Sequence, residues 1–128
     1  MRNVKIAVVE SDTTIRAFVV NLLTYCVNRH VLSFDDSNSA WTYFKAHADV
    51  DIFILEVSLP SGLDVLAKIK KRDSEKICVA MSSNPADEAS VGNLGADAFL
   101  AKPFDMDDLF NVVQSFVAKE GSPSLVSA

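Results

Sequence analysis

Four side chains that can carry charge or donate hydrogen bonds lie at or near the ends of apolar runs. Glu10 follows VKIAVV, Glu56 lies within DIFILEV, Ser82 follows ICVAM and Lys102 follows AFLA. Two carboxylates, a hydroxyl and an ammonium group can form ion pairs and hydrogen bonds if the fold brings them together. Glu56 is the most informative, because a carboxylate in so apolar a run is costly unless it reaches water, a cation or a hydrogen-bond donor.

The elements that carry these side chains follow from the spacing of the apolar residues. Apolar or β-branched runs predict five strands, and stripes of apolar residues three or four positions apart predict the helices between them. The predicted strands are 4–9, 30–34, 51–57, 77–81 and 98–101. Helical crossovers make such strands parallel and cover both faces of the sheet, so we expect an α/β fold with a three-layer, doubly wound sheet. Ligands of such folds bind outside the C-terminal ends of the strands, where the four polar side chains fall.

Local signals mark where some of the helices begin and end. An apolar stripe that runs to Cys26 predicts the first helix, and Asp12 or Thr13 can cap its first amides. Residues 60–62, Pro-Ser-Gly, predict a turn before the third helix. The segment 86–94 has a poor helical pattern and predicts a short helix, and Asp105 is placed to cap the last one.

Composition limits the class of protein. The chain has 128 residues, 49% of them hydrophobic, which suits one ordinary domain with a single well-buried core. A formal net charge of −5 argues against a general nucleic-acid binder. The sequence has no apolar run of membrane-spanning length and no signal-peptide core, so we expect a cytoplasmic protein. Cys26 and Cys78 lie far apart in apolar segments and are expected to be reduced core thiols.

Four motifs, in their order along the chain, resemble the receiver domains of two-component response regulators, including the single-domain chemotaxis type. They are VVESD, DIFILEVSLPSG, AMSS and GADAFLAKPF, and the last is the most specific. The resemblance runs from about Lys5 to Ala118. It implies a CheY-like, flavodoxin-like sheet with strand order 2-1-3-4-5, a receiver domain over 1–118, and a tail or the start of a linker over 119–128.

The same resemblance implies a role for each residue that matches the family's motifs. In that family an acidic pair holds Mg²⁺, an Asp accepts a phosphoryl group from a histidine kinase, and a hydroxyl and a lysine contact that group. The matching positions are the acidic pocket, Glu10 and Ser11; the acceptor, Glu56; the phosphoryl contacts, Ser82 and Lys102; the switch aromatic, Phe99; and a cis-proline, Pro103.

Two of these positions depart from the family's pattern. Glu56 stands where an Asp accepts the phosphoryl group, and the neutral Ser11 stands where a second acidic residue contacts the metal. The Mg²⁺ ligands that are left are Glu56, the Ser58 carbonyl and, through a water, Glu10, so we expect at most weak Mg²⁺ binding and no resident cofactor. The extra methylene of Glu56 displaces its oxygens by about one ångström or more, which can lower a rate on the order of a hundredfold. We therefore expect the usual phosphorylation to be lost.

Three states of the polar site are left open. In the first, Glu56 imitates a phosphorylated Asp by pairing with Lys102, with support from the Ser82 hydroxyl, and holds Phe99 inward. In the second, the ion pair only avoids an uncompensated buried charge within an inert scaffold. In the third, an altered switch survives.

The leading hypothesis is a protein–protein interaction module that is not an enzyme. It would meet a histidine kinase or an output protein through the face formed by the fourth helix, the fifth strand and the last helix. Met106 and Phe110 lie off the inward stripe of the last helix and could extend that face, although exposed apolar residues are common. No direct contact with nucleic acid or membrane is expected, and a homodimer is left open.

Two other functions are weighed against this hypothesis. One is a functional phosphoacceptor with altered Mg²⁺-dependent transfer to Glu56 or to a neighbouring hydroxyl. The other, less favoured, is a small flavin- or nucleotide-binding protein that holds phosphate on the hydroxyls of residues 11–14. The carboxylates of Glu10 and Asp12 would repel that phosphate.

Overall fold

A sheet of five parallel strands forms the middle layer of the protein. The computed structural model describes residues 4–27, 30–58 and 61–119. The strands are β1 (Lys5–Val9), β2 (His30–Phe34), β3 (Ile52–Glu56), β4 (Ile77–Ser82) and β5 (Ala98–Ala101), in the order β2-β1-β3-β4-β5. The helices are α1 (Thr13–Leu22), α2 (Ser37–Ala46), α3 (Gly62–Arg72), α4 (Asp87–Asn93) and α5 (Met106–Lys119). The alternation, the parallel pairing and the strand order confirm the predicted fold class.

Two apolar clusters hold the helices against the two faces of the sheet. The central strands β3 and β4 are buried at every residue, as their apolar runs predict. One cluster joins α1 and α5 to the sheet through residues such as Val19 and Leu109. The other joins α2, α3 and α4 through residues such as Phe44, Leu66 and Val91. Because both faces are covered, the C-terminal edge of the sheet is where its polar side chains collect.

The first helix differs from its prediction near its C-terminal end. The apolar stripe that runs to Cys26 predicts one continuous α-helix, but α1 ends at Leu22 and a π-helical turn, Leu23–Val27, follows it. Leu23 is buried in that turn, whereas Tyr25 is 89% exposed. A π turn holds more residues than an α turn, and the spacing of apolar residues alone does not report the change. The side chain of Cys26 lies outside the described residues.

Carboxylates cap the first and last helices at the places that the sequence indicates. The Asp12 carboxylate accepts hydrogen bonds from the backbone N–H groups of Thr14, at 2.9 Å, and Ile15, at 3.0 Å. The Asp108 N–H donates to the Asp105 carboxylate at 2.9 Å, and the Asp105 N–H donates to the Asp108 carboxylate at 3.1 Å. This reciprocal pair fixes the start of α5. The short helix predicted over 86–94 is the seven-residue α4.

Helix α3 begins very close to the end of β3. A Cβ atom on Gly62 would lie 2.7 Å from the Val57 Cα and 2.8 Å from the Glu56 carbonyl oxygen, so this approach requires glycine. Ser61, immediately before it, has a φ of 71°. The predicted turn is therefore present at Ser61 and Gly62, while Pro60 lies outside the described residues. The close contact fixes the position at which β3 presents Glu56.

Three further predictions concern residues away from the site. Cys78 is a free, buried cysteine, and burial raises the pKa of its thiol to about 12, in agreement with the predicted core thiol. Within the ranges that the structure describes, no helix is long and apolar enough to cross a membrane. Of the tail predicted over 119–128, only the backbone of Lys119, at the end of α5, is described.

Candidate functional site

The C-terminal edge of the sheet brings Glu10, Glu56 and Lys102 together, as the strand-end rule predicts. The Lys102 ammonium lies 2.6 Å from Glu10 Oε1 and forms a second ion pair with Glu56 Oε2. Both carboxylates are buried, and Lys102 is half-buried. The predicted ion pair between Glu56 and Lys102 is thus present, and Glu10, which is expected only as a water-mediated Mg²⁺ ligand, joins it directly.

The remaining carboxylate oxygens are satisfied by the loops that follow the strands. Glu10 Oε2 accepts a hydrogen bond from the Asp12 N–H at 3.0 Å. Glu56 Oε1 accepts a hydrogen bond from the Ser58 N–H at 2.7 Å and another from the Ser58 hydroxyl. Glu56 Oε2 has the Lys102 ammonium as its partner and no other hydrogen-bond donor in the described part of the chain. These contacts meet the condition on which a carboxylate can end so apolar a strand.

The environment of Lys102 favours its charged form. Burial lowers the pKa of the Lys102 ammonium, but the hydrogen bonds to Glu10 and Glu56 more than compensate, so the pKa is raised overall. Arg16 steadies the same corner, because its guanidinium donates a hydrogen bond of 2.7 Å to the Glu10 carbonyl oxygen. The lysine is therefore a permanent cation between two carboxylates.

Ser82 does not support the ion pair, and the prediction that it does is wrong. The Ser82 hydroxyl donates to Asp87 Oδ2 at 2.6 Å and accepts from the Asn84 N–H at 3.0 Å. Asp87 lies in the first turn of α4 and accepts the one proton of the Ser82 hydroxyl, whereas the Glu56 oxygens already have Ser58 and Lys102 as donors. Ser58 takes the predicted place of Ser82 beside Glu56. The signal for Ser58 is its position two residues after the carboxylate, a spacing at which acidic side chains bond the following backbone.

A cleft of about 730 Å³ lies over the ion pairs. Its polar lining includes Ser11, which is exposed at the rim, and Asp12, whose carboxylate is occupied as the cap of α1. Its apolar wall includes the rings of Phe18 and Phe104, whose centroids are 6.2 Å apart. The other lining residues are Glu10, Thr14, Ile15, Glu56, Ser58, Ser83, Lys102 and Pro103.

The remaining two predicted positions lie on and just after β5. Phe99 is half-buried and packs against the cluster that joins α2, α3 and α4 to the sheet. The Lys102–Pro103 peptide bond is cis, as the resemblance implies. The Lys102 N–H donates to the Ser82 carbonyl oxygen at 2.9 Å, which joins the last residue of β4 to the site lysine through the backbone.

Comparisons with known proteins agree with this architecture. Residues 6–114 match the family model described as the response regulator receiver domain. The rice protein "Two-component response regulator-like PRR37" (Oryza sativa subsp. indica) is 32% identical over 123 residues, which are 88% of this chain and 16% of the rice protein. "Response regulator ArlR" of Staphylococcus aureus is 25% identical over 128 residues, which are 95% of this chain and 56% of ArlR. The BeF3-activated receiver domain of DrrB, from Thermotoga maritima, gives a TM-score of 0.79 at 25% identity, over 91% of this chain and 99% of that chain.

The chain belongs to the response regulator receiver domains, the signalling modules of two-component systems. This confirms the resemblance that the four motifs indicate. The chain spans 16% of PRR37 and 56% of ArlR, less than two thirds of either relative. The roles of its individual site residues stay predictions, because family membership alone does not assign chemistry to a glutamate at the acceptor position.

Proposed function

We propose that this receiver domain is a cytoplasmic protein–protein interaction module that acts with little or no phosphorylation and is not an enzyme. The observation that carries the proposal is the Lys102 ammonium held between the buried carboxylates of Glu10 and Glu56. In a phosphorylatable site the lysine must be available to a phosphoryl group. Here its charge is already engaged by groups of the chain itself.

The state of Glu56 supports the loss of phosphoacceptor chemistry. One of its oxygens receives two hydrogen bonds from Ser58, and the other faces the Lys102 ammonium. A nucleophile needs a free oxygen in line with the departing group. The longer side chain of Glu also moves its oxygens by about one ångström from where an Asp would hold them, a misplacement that costs on the order of a hundredfold in rate.

The donor set does not fit a tight Mg²⁺ site. The ion requires near-octahedral oxygen ligands and favours several anionic ones. Glu10 and Glu56 both contact the Lys102 ammonium, the Asp12 carboxylate caps α1, and Ser11 contributes only a neutral hydroxyl. Among the described residues, no group of three or more His, Cys, Asp or Glu side chains is placed to hold a metal ion. We therefore propose that the module works without a resident metal.

Receiver domains act by contacting kinases and output domains, and the face formed by α4, β5 and α5 is the surface that we propose for this chain. Met106, at the start of α5, is 54% exposed there, whereas Phe110 is half-buried and packs on the core. The net charge of −5 favours a protein partner over nucleic acid. Glu56 places a carboxylate next to the lysine, which makes it a partial substitute for a phosphoryl group.

Intact-mass analysis after incubation with Mg²⁺ and a small acyl phosphate tests this function. We expect no mass addition, because both Glu56 oxygens are engaged and the described residues offer no fitted set of metal ligands. The matched control is the double variant Ser11→Asp, Glu56→Asp, which restores both acidic positions and is expected to gain Mg²⁺ binding. A stoichiometric addition of one phosphoryl group to the unaltered chain would overturn the proposal.

One contact favours a second candidate, a phosphoacceptor that uses a hydroxyl. The Ser58 hydroxyl lines the cleft and donates to Glu56, so the carboxylate could take the serine proton as the Ser58 oxygen attacks the phosphorus of an acyl phosphate and the donor's carboxylate departs. Phosphoserine resists hydroxylamine, whereas an acyl phosphate on Glu56 does not. An addition that survives hydroxylamine and disappears in Ser58→Ala would support this candidate.

A further inference from the structure

The hydroxyl at the end of β4 is fully committed to the start of α4. Ser82 is 1% exposed, and its one hydroxyl proton lies in a 2.6 Å hydrogen bond to Asp87 Oδ2. The same oxygen accepts from the Asn84 N–H at 3.0 Å. A serine hydroxyl has a single donor. The charge-assisted bond to Asp87 therefore leaves no proton for a group in the cleft.

Polar contacts do most of the positioning of α4. The helix has seven residues, and Val91 is the one fully buried apolar residue in it. A helix of this length has little intrinsic stability in water. Its N-cap, Ala86, makes no side-chain capping bond, while the Ala86 N–H donates to the Asn84 side chain at 3.1 Å and the Asp87 N–H donates to the Asn84 carbonyl at 3.0 Å. The Ser82–Asp87 bond ties this compact turn to the sheet.

We propose that Asp87 is a positioning residue that sets the α4 side of the interaction face through Ser82, independently of the Glu56–Lys102 pair. This deepens the proposed function and rests on it, since it explains how a face can stay fixed without phosphorylation. Because the Ser82 hydroxyl donates its proton to the Asp87 carboxylate, it cannot donate to a group bound in the cleft. One link between the ion pairs and the Ser82–Asp87 bond is the backbone hydrogen bond from the Lys102 N–H to the Ser82 carbonyl, at 2.9 Å. A side-chain change at Glu56 leaves that bond in place.

A double-mutant cycle on the unfolding equilibrium tests this independence, with no Mg²⁺ or phosphodonor present. We expect Asp87→Ala and Ser82→Ala each to raise the unfolding constant on the order of tenfold or more. The double variant should raise it by much less than the product of the two single factors, because both substitutions remove the same hydrogen bond. For Asp87→Ala combined with Glu56→Gln, the factor should lie within about twofold of the product of the single factors. Glu88→Ala, an exposed carboxylate in the same helical turn, is the matched control and should change the constant by about twofold or less.

Backbone amide chemical shifts supply a readout that a purely structural loss would not give. Asp87→Ala is expected to move the shifts of α4 and β5, and Asp87→Asn is expected to restore them in large part because its amide oxygen still accepts the serine proton. Glu56→Gln should move the signals around Lys102 and leave those of α4 in place. The proposal is overturned if Glu56→Gln moves α4 as far as Asp87→Ala does, or if the Asp87–Glu56 coupling equals the Asp87–Ser82 coupling.

Failure of this proposal and failure of the proposed function are distinguishable. Phosphorylation of the unaltered chain would overturn the proposed function and leave the cycle unaffected, because the cycle is measured without a phosphodonor. Strong coupling between Glu56 and α4 would overturn the role of Asp87 and leave the mass analysis unchanged. If Asp87→Ala does not fold, Ser82→Ala takes its place in the cycle with Glu56→Gln, because it removes the same hydrogen bond. Asp87→Asn again serves as the variant that keeps this bond.

Discussion

Two half-buried lysines, Lys102 and Lys70, lie at opposite edges of the sheet and differ in the partners that neutralise them. The Lys102 and Lys70 side chains are almost equally buried, 15% and 12% exposed. Lys70 bonds one carboxylate, Asp97 at 3.0 Å, and two backbone carbonyls, those of Ser74 at 3.0 Å and Lys76 at 2.7 Å. Lys102 instead faces two buried carboxylates. Burial alone therefore does not mark the functional lysine.

The contrast lies in charge balance and in sequence distance. Lys70 joins the segment between α3 and β4 to Asp97, the residue just before β5. Asp97 is its single acidic partner, is 31% exposed and also accepts a hydrogen bond from the Cys78 N–H at 2.8 Å. Lys102, just after β5, joins Glu10, just after β1, to Glu56 at the end of β3. Its single positive charge faces two carboxylates. Stability does not require two buried acids beside one base, since such groups are costly to desolvate. The second buried acid is therefore the feature that separates the two lysines.

The largest expected effect comes from removing each lysine in turn. Lys102→Ala would leave two buried carboxylates without a cation, and we expect a loss of about 3–5 kcal/mol in the free energy of unfolding. Lys70→Ala leaves a half-exposed carboxylate and carbonyls that water can reach, and should cost about 1–3 kcal/mol. Urea unfolding of both variants measures the difference. Equal losses would remove the distinction between the two edges.

A smaller effect is expected at the glycines that set how closely helices approach the sheet. Gly62→Ala would place a methyl group 2.7 Å from the Val57 Cα, beneath the segment that presents Glu56, and should cost about 1–3 kcal/mol. Gly92→Ala, in α4, meets no atom within 4 Å and should stabilise by about 0.5–1 kcal/mol. Thermal unfolding should therefore shift in opposite directions for the two variants. A stabilised Gly62→Ala would mean that the β3–α3 contact does not constrain the site.

The smallest expected effect is a dependence on alkaline pH at the Lys102 edge. The pKa of Lys102 is raised above the ordinary lysine value of 10.5, so its contribution to stability is fully present below that pH and is lost as the pH rises through the folded-state pKa. In Glu56→Gln, one of the two hydrogen bonds that raise the pKa of Lys102 no longer goes to a carboxylate. The folded-state pKa should therefore be lower, and the stabilising contribution of Lys102 should be lost at a lower pH. Unfolding free energies measured between about pH 9 and about pH 11 for both proteins test this. The pKa of the half-buried Lys5, at the opposite edge of the sheet, is also raised by its hydrogen bond to Asp49, so Lys5→Met serves as the control for general alkaline loss.

The sequence predicts the fold and the meeting of Glu56 with Lys102 because both follow from periodicity and from the rule for strand ends. It does not predict which hydroxyl completes the pair. Ser58 and Ser82 both follow buried strands, and the choice between them depends on Asp87, which the short loop before α4 brings within 2.6 Å of Ser82. The π-helical turn after α1 is missed for a related reason, since apolar spacing reports a face and not the hydrogen-bond pattern.

The buried thiol of Cys78 has a consequence for how motions of this protein can be followed. The thiolate is the reactive form of cysteine, and a pKa of about 12 keeps it scarce at neutral pH, while the residues of α2, α3 and α4 that pack with Cys78 keep reagents away. A thiol reagent can therefore reach Cys78 only when this cluster opens. In a Cys26→Ser background, the labelling rate would measure how often that face of the sheet is uncovered.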